Sequence, residues 1–250
     1  MKSRSLKKEI IYLNLRKLIH IVLFVLPFFL TILMFIKPKL MIFRILNEIA
    51  DINSFIIPIL IVLNIVFNVY FYKYLKIKLY GIKGEYKVFK QLKIIKKSGY
   101  KIFQNVHLKN KKVKAQLDFI IVGKTGIFVI EVKNQRGIIT GDIESKYLTK
   151  IKRSKSGNEY NKKIYNPIKQ VNTHIYKLSK LFKENGVNIW IRGAVLFTNK
   201  DSIVKVNSNE ILMIQSENCD ELINAIENND IILSDSDIER ISKIINKNIV

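Results

Sequence analysis

The stretch QLDFIIVGKTGIFVIEVKN, residues 116–134, decides how this chain is read. Two apolar runs, 117–122 and 127–132, flank the tight-turn residues Lys124-Thr125-Gly126 and read as the arms of a β-hairpin. Both arms are apolar on both faces, which predicts central strands covered by helices. With the turn centred between Lys124 and Thr125, Asp118 falls directly across from Glu131. Glu131 and Lys133, two residues apart on one strand, share a face. Directly opposed Cβ atoms lie ~5 Å apart. Two carboxylates that close repel each other, and an apolar hairpin makes them costlier unless a cation lies between them. A divalent metal supplies that charge, and hard oxygen ligands with water completing the shell suit Mg2+ or Mn2+. Lys133 then stands where it can orient water or stabilise charge on a phosphate. Without a metal, the same residues read as a salt bridge at a strand end.

Outward from the hairpin, residues 84–97 predict an amphipathic helix with Val88, Leu92 and Ile95 on one face, stopped by Gly99. A short strand at 100–106 and a basic turn at 108–114 lead into the hairpin. Beyond it, 137–140 and 147–152 read as a strand pair and 153–163 as a polar, basic loop. Asn166-Pro167 opens a helix running to about Asn185, with Asn as cap and Pro at the first helical position. Strands follow at 189–198 and 211–214, then helices at 218–228 and 235–247, the second capped by Ser234 or Asp235. The order predicts an α/β fold: a mixed β-sheet flanked by helices. Cys219 is the one cysteine, which excludes a disulfide framework and a multi-cysteine metal site.

Taken together, residues 84 to about 198 resemble the nuclease-related domain, which is similar to the PD-(D/E)xK endonuclease superfamily. The pieces stand in order: Gly81-Ile-Lys-Gly-Glu85, Gln116-Leu-Asp118, the run from Gly126 to Asn134, Gly137-Ile-Ile-Thr-Gly141, Asn166-Pro167 with Gln170 and His174, and Gly193-Ala-Val-Leu-Phe197. The resemblance implies a restriction-endonuclease-like core that hydrolyses phosphodiester bonds with a divalent metal. Asp118 and Glu131 would bind the metal, Lys133 would assist the attacking water, and Glu85 would add a carboxylate from the first helix. Gln170 would reach the site from the later helix, as in the Q-x-x-x-Y motif of recombination-type nucleases. His174 stands where that motif has Tyr, and Leu117 where the "PD" pattern has Pro. Plainer readings stand beside these. Glu85 is also a favourable first-turn acid, Gln170 a capping or solvated residue, and His174 a packing residue. Trp190 and Phe197 read as core.

Charge agrees with a phosphate-bearing partner. The 250 residues carry 43 Lys+Arg against 20 Asp+Glu, a net +23. Residues 73–200 hold 30 Lys+Arg against 7 Asp+Glu, while 201–250 hold 4 against 10. Lys109, Lys111, Lys112 and Lys114 cluster just before Asp118, and Lys152, Arg153 and Lys155 crowd the region before Asn166. Such contacts give affinity for nucleic acid without sequence choice. The plain alternatives are a solvated lysine-rich surface or attraction to anionic lipid.

The N-terminal region reads differently. Runs 18–36 and 55–72 carry no charged residue and are about long enough to cross a bilayer. The flanking Lys and Arg predict a transmembrane α-hairpin with both termini cytoplasmic. Asn64 and Asn68, one turn apart, could bond to the first helix. The expected organisation is an anchor over 1–72, a nuclease-related domain over 73–200 and an acidic strand-helix-helix extension over 201–250. The expected function is a membrane-anchored, cytoplasm-facing Mg2+-dependent nuclease acting on DNA, with RNA as the second substrate and membrane lipid as a further partner. The alternative is a non-catalytic module tethering nucleic acid at the membrane.

Overall fold

The computed structural model describes residues 6–25, 29, 56–109, 114–154, 157–215, 217 and 219–249. They form two compact units along the chain, Lys8–Tyr80 and, from Gly81 onward, a larger α/β unit that also takes in Leu6 and Lys7.

In the first unit, α1 (Leu6–His20) runs into a π-helical turn, Ile21–Val25, and α2 (Ile56–Leu92) begins its long course. Asn68 organises the packing. Its Oδ1 accepts from His20 Nε2 at 2.7 Å, and its Nδ2 donates to the Asn64 carbonyl and side-chain oxygens. The His20 ring lies 3.9 Å from that of Phe71, and Arg16 sits over the same phenyl ring.

The membrane expectation is corrected here. No helix among the described residues is long and apolar enough to cross a membrane. The run 55–72 is not a separate span ending at a basic flank. From Ile56 on it lies within α2, which continues through Lys73, Lys76 and Lys78, and its Asn64 and Asn68 form a polar cluster with His20. The run 18–36 starts in the last turn of α1, and its residues 26–28 and 30–36 lie outside the described residues. The two-pass location, its cytoplasmic orientation and the lipid partner are therefore set aside.

The larger unit is built on two sheets. The central one has five strands in the order β1-β2-β3-β7-β9: β1 (Lys101–Lys109), β2 (Lys114–Gly123), β3 (Gly126–Lys133), β7 (Ile191–Phe197) and β9 (Ile211–Gln215). β1, β2 and β3 form an antiparallel meander, and β7 and β9 add in parallel to β3. Every residue of β3 except Lys133 is buried, as a strand covered on both faces must be. The β2–β3 turn has the expected register, closing at Gly123 opposite Gly126 around Lys124-Thr125. Val129, Ile127 and Val195 share one apolar cluster with Val171, Leu178 and Phe182 of α3 (Pro167–Glu184) and Ile241 and Ile245 of α5 (Asp235–Lys247). Between them in sequence lies the short α4 (Asp220–Glu227).

The second sheet has the order β6-β5-β4-β8: β6 (Glu159–Tyr165), β5 (Tyr147–Arg153), β4 (Gly137–Thr140) and β8 (Ser202–Val204). Three expectations change. The second half of the segment read as a loop at 153–163, from Glu159 on, belongs to β6, antiparallel to β5 from Tyr147↔Tyr165 to Arg153↔Glu159. The helix expected to start at Gly84 is the last part of α2. Trp190, expected in the core, is 70% exposed just before β7, whereas Phe197 is buried as expected.

Candidate active site

The backbone pairing of β2 and β3 stops at Phe119↔Ile130, one position short of the carboxylates. Beyond it the side chain of Asp118 takes over. Its Oδ2 accepts the Val132 N–H at 2.8 Å, so the acid is fixed to the facing strand as the ladder ends. On β3, Glu131 is 3% exposed, and Lys133 Nζ donates to its Oε1 at 2.7 Å. The same ammonium donates to Gln170 Oε1 on α3 at 2.9 Å. Lys133 therefore bridges a strand carboxylate and a helix amide.

Two glycines bring the helices this close. At Gly193 on β7 a Cβ would stand 2.5 Å from Val171 Cγ1, so α3 lies on the sheet at a distance only glycine permits, with Gln170 beside Val171. At Gly84 a Cβ would stand 2.8 Å from Asn134 Cβ. That approach seats α2 against the end of β3 and sets Glu85, half-buried, where its charge acts on Asp118.

The electrostatics follow from this crowding. Burial, then the Glu131 and Glu85 charges, raise the Asp118 pKa well above the ordinary carboxylate range, against the Val132 N–H and Lys133. Burial also raises that of Glu131, opposed by the Lys133 ammonium. His174, one turn beyond Gln170, is buried with Nδ1 3.8 Å from Glu131 Oε2. Burial, Lys177 and Lys133 pull its pKa down to about 4, so the imidazole is neutral at neutral pH. Neither Glu131 Oε2 nor His174 Nδ1 has a hydrogen-bond partner among the described residues. Two buried polar atoms 3.8 Å apart with no hydrogen bond mark a place where a further group would be welcome.

The structure thus brings Asp118, Glu131, Lys133, Gln170 and Glu85 to one end of the hairpin. It adds His174, for which the sequence offers both a motif position one turn from Gln170 and a packing role, against Glu131. Of the basic residues, Lys109 and Lys114 form the last pair of the β1–β2 ladder and are exposed. Lys114 lies four residues before Asp118 on the same strand, about 13 Å along it. Lys152 is half-buried on β5, and Arg153 is paired with Glu159 at 2.9 Å. Lys111, Lys112 and Lys155 lie outside the described residues.

Residues 80–198 match the family model of the nuclease-related domain (NERD). No curated protein and no solved structure matches the chain. The match spans all five candidate site residues, from Glu85 on α2 to Gln170 on α3, and ends just after β7. It lends no support to the expected likeness to PD-(D/E)xK endonucleases or to an N-terminal anchor. A nuclease-related function, with nucleic acid as the partner, is what the nuclease-related domain suggests.

Proposed function

We propose that the nuclease-related domain hydrolyses phosphodiester bonds of nucleic acid, DNA in the first place, at the site formed by Asp118, Glu131 and Lys133. The observation that carries this reading is the Lys133 ammonium, held between Glu131 and Gln170 beside a second carboxylate. A lysine fixed at this point stabilises the negative charge that builds on an attacked phosphate. Gln170 holds its ammonium in place, and neutral His174 closes the far side of Glu131 without adding charge.

The residues fit a divalent metal such as Mg2+ in their donor chemistry. Asp118 and Glu131 offer hard oxygens, both hold protons more tightly than usual, and Glu131 Oε2 has no hydrogen-bond partner among the described residues. Among the described residues no group of three or more His, Cys, Asp or Glu forms a ready-made cage. Mg2+ keeps several waters and takes one or two carboxylates, which Asp118 and Glu131 could supply. Bound there, Mg2+ or Mn2+ would supply Lewis-acid stabilisation and an activated water.

The test is cleavage of supercoiled plasmid and of single-stranded RNA by the full chain with Mg2+, Mn2+ or EDTA. Cleavage that requires the metal and falls about a hundredfold or more in Glu131→Gln and Lys133→Met supports the site. Unchanged cleavage in both variants removes it. A second reading, a module that binds nucleic acid without cutting, rests on Lys133 Nζ already giving two of its three N–H donors to Glu131 and Gln170. Binding without cleavage under every metal would establish it.

A further inference from the structure

The β5–β6 hairpin separates its charges by face. Strand partners point to the same side, so Lys150 and Lys162, directly paired, share a face with Lys152 and its partner Tyr160. The same face carries Leu148 and, across β4, Ile139, both fully buried in the core. It is therefore the face turned toward the rest of the domain, and beyond the core's edge it becomes cationic. The opposite face carries Tyr147 and Tyr165 in edge-to-face contact, Lys163, and Arg153 neutralised by Glu159.

Three features of the inner face point to a ligand. Directly opposed like charges weaken a strand pair, yet Lys150 and Lys162 stand opposed, and Lys150 is only 8% exposed. Lys152 and Lys162 meet no carboxylate among the described residues, while Tyr160 is 51% exposed with no ring partner there. Finally, Lys150 Nζ donates to Gln135 Oε1 at 3.0 Å, which ties this face to the segment two residues beyond Lys133. Burial and the neighbouring Lys152 and Lys162 lower the Lys150 pKa to about 8, a strain that a polyanion would relieve.

We propose that Lys150, Lys152, Lys162 and Tyr160 form a strand-guiding surface that binds an unpaired stretch of nucleic acid and leads it to the candidate site. Lys152 and Lys162 take phosphates, while Lys150, nearly buried, adds its charge from beneath and ties the surface to Gln135. Tyr160 stacks on a base, which a paired strand does not offer from its edge. The inference rests on the proposed nucleic-acid function, but it concerns substrate form and is read by binding alone.

The experiment measures anisotropy of labelled oligo-dT, oligo-U and a blunt DNA duplex with the full chain in EDTA, over a range of salt. Expected is tighter binding of at least one single strand than of the duplex. Tyr160→Leu is expected to weaken that single strand roughly tenfold, with Tyr160→Phe retaining it. Lys152→Gln and Lys162→Gln each lower the salt slope by about 0.7, the value for one phosphate on a single strand. Lys163→Gln, of equal charge but on the outer face, leaves the slope unchanged. Duplex binding as tight as single-strand binding, no effect of Tyr160→Leu, or equal effects of Lys162→Gln and Lys163→Gln would overturn the proposal. Loss of cleavage in Glu131→Gln with these results intact speaks to the catalytic reading separately, as does a chain that binds the strand and cuts nothing.

Discussion

At Asp118 two demands meet in one side chain. Its Oδ2 accepts the Val132 N–H and so finishes the hairpin, while its charge lies near Glu131 and Glu85. A folded-state pKa above the unfolded value means that the ionised carboxylate weakens the fold, and the penalty grows as pH rises through the unfolded value. Asp118→Asn keeps an oxygen for Val132 and removes the charge. In EDTA near neutral pH it should unfold at higher denaturant than the parent, by about 1 kcal/mol, while any nuclease activity is lost. An urea titration paired with a cleavage assay reads both, and a destabilised Asp118→Asn contradicts the account. This pair of carboxylates was legible in the sequence because a two-residue turn fixes every later pairing. His174 against Glu131 was not legible. That contact depends on how far α3 sits from the sheet, which Gly193 and Val171 set through packing. Trp190 departs from expectation for a related reason: large aromatics favour burial on average, but one residue before a strand is outside the alternation that buries them.

At the scale of elements, local chemistry served best where a cap or turn names itself. Asn166 accepts the Ile168 N–H at 3.0 Å, as a capping residue before Pro167 should. Its Nδ2 does more than the sequence could say, donating to the Ile143 and Ser145 carbonyls at 2.8 and 2.9 Å. Asn166 is fully buried, so Asn166→Ala leaves three backbone groups without partners. The expected cost is about 2–3 kcal/mol. Asn166→Asp, which retains the cap but loses the donor, should fall between Ala and the parent; chemical denaturation of the three proteins orders them. Where an element is defined by distant pairing, the sequence was silent. The segment EYNKKIY of β6 shows no apolar alternation and looks like a loop, yet seven cross-strand pairs to β5 make it a strand. Likewise the lysines after Tyr72 looked like the end of one helix, and Gly81 and Gly84 like the start of another. A helix tolerates both at modest cost, and α2 runs through them.

On the scale of the whole molecule, the net +23 divides unevenly along the chain, and the acidic stretch 201–250 invites reading as a detachable mask over the basic core. The packing argues otherwise. β9 pairs in parallel with β7 from Gly193↔Ile211 to Phe197↔Gln215, extending the sheet that holds Glu131 and Lys133. Leu233 N donates to the Lys124 carbonyl and Asn229 Nδ2 to that of Thr125, so the turn of the central hairpin is held by the same stretch. Ile211, Ile214, Leu222, Ile226, Ile241 and Ile245 are each no more than 2% exposed. At about 1.5–3 kcal/mol for each such side chain, removing the six forfeits roughly 9–18 kcal/mol, as much as the whole net stability of a typical domain. The acidic surface contacts are weak by comparison: Lys87 and Glu217 stand 3.9 Å apart, both about half exposed, and such pairs contribute at most about 1 kcal/mol. Deleting residues 201–250 is therefore expected to abolish cooperative unfolding, whereas neutralising Glu217 and Glu239, the latter paired with Lys101 at the surface, with Gln should leave the melt within a few degrees of the parent. Circular-dichroism melts of the two proteins separate the possibilities. A truncated chain that melts cooperatively and binds nucleic acid more tightly would make the acidic stretch a mask. A chain that loses its transition would make it the far side of the sheet on which the candidate site stands.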